Sequence, residues 1–337
     1  MAASVKDVAA YAGVSEGTVS NTLNRPSVVR PATREKVLRA IEALGFVPDE
    51  SARALRVGRS RVVGFVADDV SNPFYSDVAR GAENVAYPNG TMVMICNSDG
   101  DTAREAVILE RLVGQRVQGL LITPLTDDDG PLDRIAAAGT AVVVIGRRSR
   151  SGQHCSVHSD DRHGGRLAVE HLWQQGHRRL AFVGPQFHER LSGVQEFLAE
   201  QGADPDELLV LPARHADPLG GRSAGDTIAA QSPRRRVTAV LCGNDVLAIG
   251  VLQAMTHHGL RVPDDVAIVG YDDIDAAAGA AVPLTSIRQP RQLIGATAAE
   301  MLLEEITPGS GHVHRDHVFE PELVTRRSSA KRRPVRR

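Results

Sequence analysis

Short polar groups stand just beyond several apolar runs. Asp68, Asp69 and Asn72 follow Val62–Val66, Asn244 follows Val237–Cys242, and Asp272 follows Val266–Val269. Carboxylates and amides gathered at strand ends can make paired hydrogen bonds to the vicinal hydroxyls of a small molecule. Each has a plainer use when taken singly: Asn244 and Asp272 both stand where a helix wants an N-cap. A second polar set lies near the start of the chain. Gly17, Ser20, Asn21 and Asn24 recur at i, i+3, i+4 and i+7, on one face of a short helix. Amides and hydroxyls on such a face can meet base edges and phosphates in a DNA major groove; the plainer reading is a solvated polar face. Catalytic patterns are missing: no GxxxxGKS/T loop, no GxGxxG after the first strand and no HExxH. Cys96, Cys155 and Cys242 are odd in number and widely spaced, and read as small reduced thiols with no metal-ligand pairing. His257-His258 reads as a surface pair. His312 and His314 fall in a Gly-rich turn with at most adventitious affinity for metal. No cofactor or structural metal is expected.

The elements that carry these groups follow from local chemistry. Ser4, with Asp7 three residues on, has the spacing of a capping box, and Val5, Val8, Ala9 and Ala12 share one helical face. Gly13 can adopt the left-handed conformation that ends a helix, and Ser15 is placed to cap the next. Val19 and Leu23 form the apolar side of that second helix, which Arg25-Pro26 breaks. Pro31–Leu44 reads as a third helix with Val37, Ile41 and Leu44 as its stripe, ended by Gly45. The segment that follows, with Ser51–Arg56, has no buried stripe of its own and orders only against a partner. From Arg61 onward apolar runs alternate with helical stretches. Val62–Val66, Thr91–Cys96, Gly119–Ile122, Ala141–Ile145, Leu180–Val183, Val237–Cys242 and Val266–Val269 read as buried parallel strands. Thr102–Gln115, Gly164–Gln175, Glu189–Gln201, Asp245–His258 and Arg291–Glu305 read as helices. The pattern implies doubly wound α/β architecture, with too many units for one small sheet and hence two lobes.

Charge is divided along the 337 residues. The formal net charge of −2 is made of +3 in residues 1–60, −12 in 61–325 and +7 in 326–337. A basic head on an acidic core fits nucleic-acid binding confined to the head. The tail Lys331–Arg337 reads as disordered, either adding phosphate contacts or serving as a solvated end. No apolar run approaches transmembrane length and residues 1–30 lack a signal peptide's apolar stretch, so a cytoplasmic protein is expected.

The residues also carry a resemblance. Asp7–Ser15, Thr18-Val19-Ser20, Leu23-Asn24, Thr33–Val37 and Phe46-Val47-Pro48 are similar to the head of the lac/gal repressor family of bacterial transcription factors. Asp69–Tyr75, Cys96–Asp99, Asp160-Asp161, Gly176–Pro185, Asn244-Asp245, Pro263–Val266, Gly270–Asp273 and Glu322–Arg326 are like landmarks of the same family, so the resemblance spans the chain. It implies an all-α helix-turn-helix head (1–47), a hinge (48–60), and an α/β core (61–325) of two lobes like a periplasmic sugar-binding protein. The chain would cross between lobes near 160, 289 and 319, and end in the tail (326–337). It further implies operator contacts from Ser4, Ser15, Glu16, Gly17, Thr18, Ser20, Asn21, Asn24, Arg30 and Thr33, and a minor-groove wedge at Leu55. An effector, sugar-like by family analogy, would meet Asp69, Asn72, Phe74, Tyr75, Arg190, Asn244, Asp272 and Gln289.

Some positions depart from the family. Glu16 and Gly17 replace the long amide or aromatic residues that read bases in well-known members, and Asn21 stands where Arg is common. Ala216 stands where relatives often place a stacking aromatic, and Gly146-Arg147 where Asp is often found. The expected function is that of a homodimeric, ligand-responsive repressor on a pseudo-palindromic operator, with no enzymatic activity. Against a stand-alone solute-binding protein stands the helix-turn-helix head; against a sugar-acting enzyme stands the missing catalytic constellation.

Overall fold

The structure is a computed structural model that describes residues 3–47, 60–185, 189–213, 215–307, 309 and 311–330. The chain divides into two units, Met1–Ser60 and Arg61–Arg337.

The described part of the first unit is three helices, α1 (Val5–Ala12), α2 (Glu16–Asn24) and α3 (Pro31–Leu44). Their ends are fixed locally. The Asp7 N–H donates to Ser4 Oγ (3.3 Å) while the Ser4 N–H donates to the Asp7 carboxylate (2.8 Å), closing the capping box. Gly13 and Gly45 take φ of +65° and +58°, where a side chain would be strained. Val8, Ala9, Val19, Val37, Ala40 and Phe46 form the core. The expected α3 stripe is corrected in one respect: Ala40 is buried, whereas Ile41 and Leu44 are only partly covered. Three short helices approach most closely over a small side chain, which leaves the larger ones at the rim.

The second unit contains two parallel-rich sheets. The first has the order β11-β5-β4-β3-β1-β2. Its strands are β1 (Val62–Ala67), β2 (Met92–Asn97), β3 (Gly119–Ile122), β4 (Ala141–Ile145), β5 (Cys155–Ser159) and β11 (Asp316–Phe319). The second has the order β12-β10-β9-β8-β6-β7. Its strands are β6 (Leu180–Gly184), β7 (Leu209–Pro212), β8 (Ala239–Cys242), β9 (Ala267–Asp272), β10 (Thr285–Arg288) and β12 (Glu322–Val324). All pairings are parallel except β10 with β12, where Ile287 faces Leu323. The chain leaves the first sheet after Ser159, returns through Gln289 and leaves again after Phe319.

Helices cover the sheets: α4 (Pro73–Ala86), α5 (Thr102–Gly114), α6 (Gly130–Ala137), α7 (Asp161–Gln174), α8 (Glu189–Glu200), α9 (Pro218–Ala229), α10 (Asp245–His257), the short α11 (Asp275–Ala278) and α12 (Arg291–Ile306). Three helix pairs meet backbone to backbone, each through glycines on both partners. A Cβ on Gly81 of α4 or Gly295 of α12 would lie 2.0 or 1.8 Å from a carbonyl oxygen of the partner helix, and Gly165 with Gly193 (α7, α8) and Gly221 with Gly250 (α9, α10) repeat the arrangement.

All seven apolar runs are strands. The run Thr91–Cys96 is nevertheless not buried: β2 is the outermost strand of its sheet, Met92, Met94 and Ile95 are exposed, and Cys96 is half-buried. Strands β5, β7, β10, β11 and β12 escaped the sequence reading because each has five residues or fewer and polar residues interrupt most of them.

Candidate functional site

In the head, α2 presents Glu16, Gly17, Asn21 and Asn24 to solvent, with Thr18 and Ser20 half-buried beside them. Two of the predicted contact residues are first of all caps. Ser15 Oγ accepts from the Thr18 N–H (3.2 Å), and Ser4 Oγ accepts from Asp7. The Asn24 amide folds back onto its own helix, donating to the Ser20 carbonyl (2.8 Å). Arg30 is exposed just before α3 and Thr33 is half-buried in its first turn. Leu55 and most of the hinge, like the basic tail from Lys331, lie outside the described residues.

In the second unit the predicted polar residues meet between the two sheets. Asp272 ends β9 and is buried, with φ of +98°; Asp273 follows at +52°. Two consecutive non-glycine residues in left-handed backbone are costly and persist only where surrounding contacts impose them. The contacts are these. Gln289 Nε2 donates to Asp272 Oδ1 (2.8 Å), Asn72 Nδ2 donates to Oδ2 (3.5 Å), and the Arg190 guanidinium lies 3.8 Å from Oδ1. Asn72 comes from the first lobe, as N-cap of α4, whereas Asp272 and Arg190 belong to the second. Arg190 also donates to Asp161 Oδ1 (3.1 Å) and to the Gly243 carbonyl, and stacks over the Tyr271 ring at 3.7 Å from its centroid. Tyr271 Oη donates to the same Asp161 oxygen (2.8 Å).

Burial pushes the Asp272 carboxyl up to about 6, although Arg190, Gln289 and Asn72 all favour its charged form. For Arg190 burial works against the charge, but Asp161, Tyr271 and Asp272 more than offset it. Burial likewise raises Tyr75, whose hydroxyl feels Asp68, Asp272, Arg190 and Asp69. Tyr75 thus marks one space faced by acids of both lobes. Burial and the neighbouring Asp69 raise Asp68 as well. Asp69 itself is half-buried and accepts from Ser71 Oγ (2.8 Å).

Two predicted ligand residues also have structural partners. Phe74 is packed in the first lobe's core with Val63, Phe65 and Val78, edge-on to Tyr75, so Tyr75 is the aromatic left facing the cleft. Asn244 is spent on structure: its Oδ1 accepts from the Leu247 N–H (2.8 Å) and its Nδ2 donates to the Ala216 carbonyl (3.1 Å). The sequence reading missed Asp161 and Tyr271. Two adjacent Asp residues open α7, and one helix start needs one cap: Asp160 supplies it to His163 (2.8 Å), which frees Asp161 for Arg190. That doubling was the available signal. Arg147 is engaged elsewhere, 2.6 Å from Asp129. Burial opposes the Asp129 charge, but the Ser151 N–H, Arg147 and Ser149 together hold it at about 2. A cavity of about 460 Å³ opens beside the cluster, lined by Asp273, Arg288, Arg291 and Arg326 among others; of the predicted residues it includes only Gln289.

Comparison with known proteins identifies the family and the fold. Residues 4–49 match the family model for bacterial regulatory proteins of the lacI family, and residues 169–329 that of a periplasmic binding protein-like domain. The HTH-type transcriptional repressor PurR of Photobacterium profundum is 32% identical over 334 residues, 97% of this chain and 98% of its own. Among solved structures, the lac repressor dimer bound to operator and the anti-inducer ONPF superposes with a TM-score of 0.84 at 28% identity, covering 98% of this chain and 100% of that one. A complex of the transcriptional regulator CelR with cellobiose gives 0.70 at 34% identity, covering 97% and 99%. No helix among the described residues is long and apolar enough to cross a membrane. A helix-turn-helix head joined to a two-lobed core, with relatives matched over nearly their whole length, establishes that the chain belongs to the lacI family of bacterial regulatory proteins, as a DNA-binding transcriptional repressor with an effector-binding core rather than an enzyme.

Proposed function

We propose that the effector is an uncharged, hydroxyl-rich small molecule held between the lobes by Asn72, Asp272, Gln289 and Arg190, with Tyr75 as an apolar wall. The observation that carries this is the bond from Asn72 of one lobe to Asp272 of the other, both buried, with Gln289 and Arg190 on the same carboxylate. A ligand with vicinal hydroxyls can replace these bonds two at a time. Around Tyr75 and Arg190 stand Asp68, Asp69, Asp161 and Asp272, and the nearby Arg291 donates to the Asp272 carbonyl (3.4 Å); the acids nearest the site favour a neutral ligand over an acid or phosphate ester. Ala216, half-buried against the second lobe's core, offers no ring to stack on a pyranose. Cellobiose and ribose are bound by structural relatives and define the class to be searched first.

The head reads an operator with Gly17, Thr18, Ser20 and Asn21 on the outer side of α2, while Ser4, Ser15, Arg30 and Thr33 set its seating on phosphates. Two copies act together on a pseudo-palindrome in the cytoplasm, and the exposed apolar edge strand β2 supports an association of copies. Effector binding changes the angle between lobes and with it operator affinity, a coupling typically worth about 1–3 kcal/mol. The test is a thermal-shift screen of sugars and nucleosides, with hits added to a gel shift on the DNA upstream of the protein's own gene. A hit should stabilise the native chain and change operator affinity, and both effects should vanish in Asp272→Ala. An unchanged response in that variant would remove Asp272 from the site.

A further inference from the structure

Away from the cleft, β5 and β11 lie side by side at one edge of the first sheet, with the Ser156 N–H donating to the Arg315 carbonyl (3.0 Å). Cys155 opens β5 and is fully buried; His312 and His314 precede β11, and Glu305 ends α12. Cys155, His312 and His314 each bring a ligand atom to within 4.8 Å of the others. Cys155 Sγ is 3.2 Å from His312 Nε2, and Glu305 Oε2 is 3.8 Å from that same nitrogen. We propose that Cys155 Sγ, His312 Nε2, a ring nitrogen of His314 and Glu305 Oε2 bind one divalent cation of the zinc class.

Three observations carry this beyond a chance meeting of side chains. The spacing approaches that of a coordination sphere, whose bonds of about 2.3 Å to sulfur and about 2.0–2.1 Å to nitrogen or oxygen separate neighbouring ligand atoms by roughly 3.3–3.6 Å: His312 Nε2 is 3.2 Å from Cys155 Sγ and 3.8 Å from Glu305 Oε2, and His314 closes in by side-chain rotation from within 4.8 Å. Two buried polar atoms here, Glu305 Oε2 and His312 Nδ1, have no hydrogen-bond partner. A buried carboxylate oxygen left so is costly, and a cation at the cluster would satisfy it. A cation on Nε2 would also fix the proton on Nδ1, which points to Glu304 Oε1 at 3.5 Å, the carboxylate–histidine–metal relay of bound sites. Finally, the Arg315 N–H donates to Cys155 Sγ (3.5 Å), an N–H···S contact that orients the sulfur.

The donor set selects the ion. One thiolate, two imidazoles and one carboxylate suit zinc and its borderline neighbours rather than calcium or magnesium, which take oxygen ligands. Thiolate and carboxylate balance the 2+ charge, and the thiol proton leaves to solvent on binding. The ion would fasten the connection between α12 and β11 to β5. Both of those strands run directly into crossings between the lobes, so the clip would sit at the base of two of the three.

The full-length chain, dialysed free of metal, is titrated with zinc against a chromophoric chelator and separately with cobalt. One equivalent of zinc should bind, and cobalt should show thiolate-to-metal charge-transfer absorption. Cys155→Ser should abolish that band, and Cys155→Ser or His312→Ala should weaken zinc by about 100-fold or more. Glu305→Gln should weaken it by about 10-fold, and His258→Ala, remote from the cluster, should change nothing. Failure to bind, a missing band, or affinity in Cys155→Ser or His312→Ala within about threefold of the native chain would overturn the site. If circular dichroism shows either variant misfolded, His314→Ala decides, because that side chain is exposed; undiminished zinc affinity there would equally overturn it.

Discussion

In the function proposed above the head and the cleft both recognise through hydrogen bonds, yet they hold the groups assigned to that task in opposite ways. On α2 the groups are exposed, come from one helix, and rest on a six-residue core they hardly touch. In the cleft they are buried (Asn72, Asp272, Gln289) or half-buried (Asp161, Arg190) and arrive from five places: the starts of α4, α7 and α8, the end of β9 and the crossing at Gln289. Binding and folding are therefore separable in the head and entangled in the cleft. Relatives can change operators by exchanging exposed side chains, whereas a change of effector requires several buried charges to be rebalanced together.

The sharpest way to break this contrast is to remove Arg190. Arg190→Met leaves Asp161 and Asp272 buried without their cation, and should lower core stability by about 3–5 kcal/mol in denaturant melts. A loss below about 1 kcal/mol would show the cluster to be solvated and no different in kind from the head.

Asp272 gives the next effect. Its folded pKa of about 6 lies above the ordinary value near 3.9 of an unfolded chain. The folded protein thus holds this proton more tightly. The resulting stability is complete below about pH 4 and is lost as pH rises through about 6, on the order of 2–3 kcal/mol. Asp272→Asn should flatten that part of the pH–stability curve. Effector affinity, which uses the carboxylate as acceptor, should rise over the same interval in the native protein and stay level in the variant; calorimetric titration at pH 5 and pH 7.5 separates the two.

Effects in the head should be smaller and of another kind. Ser15→Ala removes a cap and should cost about 1 kcal/mol of head stability. Asn21→Ala should leave stability within about 0.5 kcal/mol while weakening operator binding by about 1–3 kcal/mol, read by gel shift at fixed salt. If Asn21→Ala instead destabilised the head, the separation drawn above would fail there.

The same contrast explains what was legible in the sequence. The head's caps and turns are local: Ser4 and Asp7, Gly13, Ser15 and Gly45 act within a few residues, so their roles could be read directly. The apolar strands of the core were equally plain, as were Asn72, Arg190, Asp272 and Gln289 once the resemblance supplied their positions. Partnerships that folding creates across long stretches were not. Nothing near Asp161 shows that it will meet Tyr271, which is 110 residues away, and nothing near Cys155 announces His312, 157 residues on. Asn244 caps its helix and bonds the Ala216 carbonyl, and an amide before a helix suits a cap and a ligand residue alike.

The reciprocal glycines of the three helix pairs bear on how the protein moves. Helices in backbone contact have no side-chain cushion to compress, so these three pairs resist sliding and compression. The three crossing segments, which lack such contacts, are the place left for the second unit to bend, as two plates on a joint. Gln289 sits in that joint and works with almost no lever arm. Asn72 and Asp272 close the gap that swings, and a ligand seated between them acts where a small displacement turns the plates furthest.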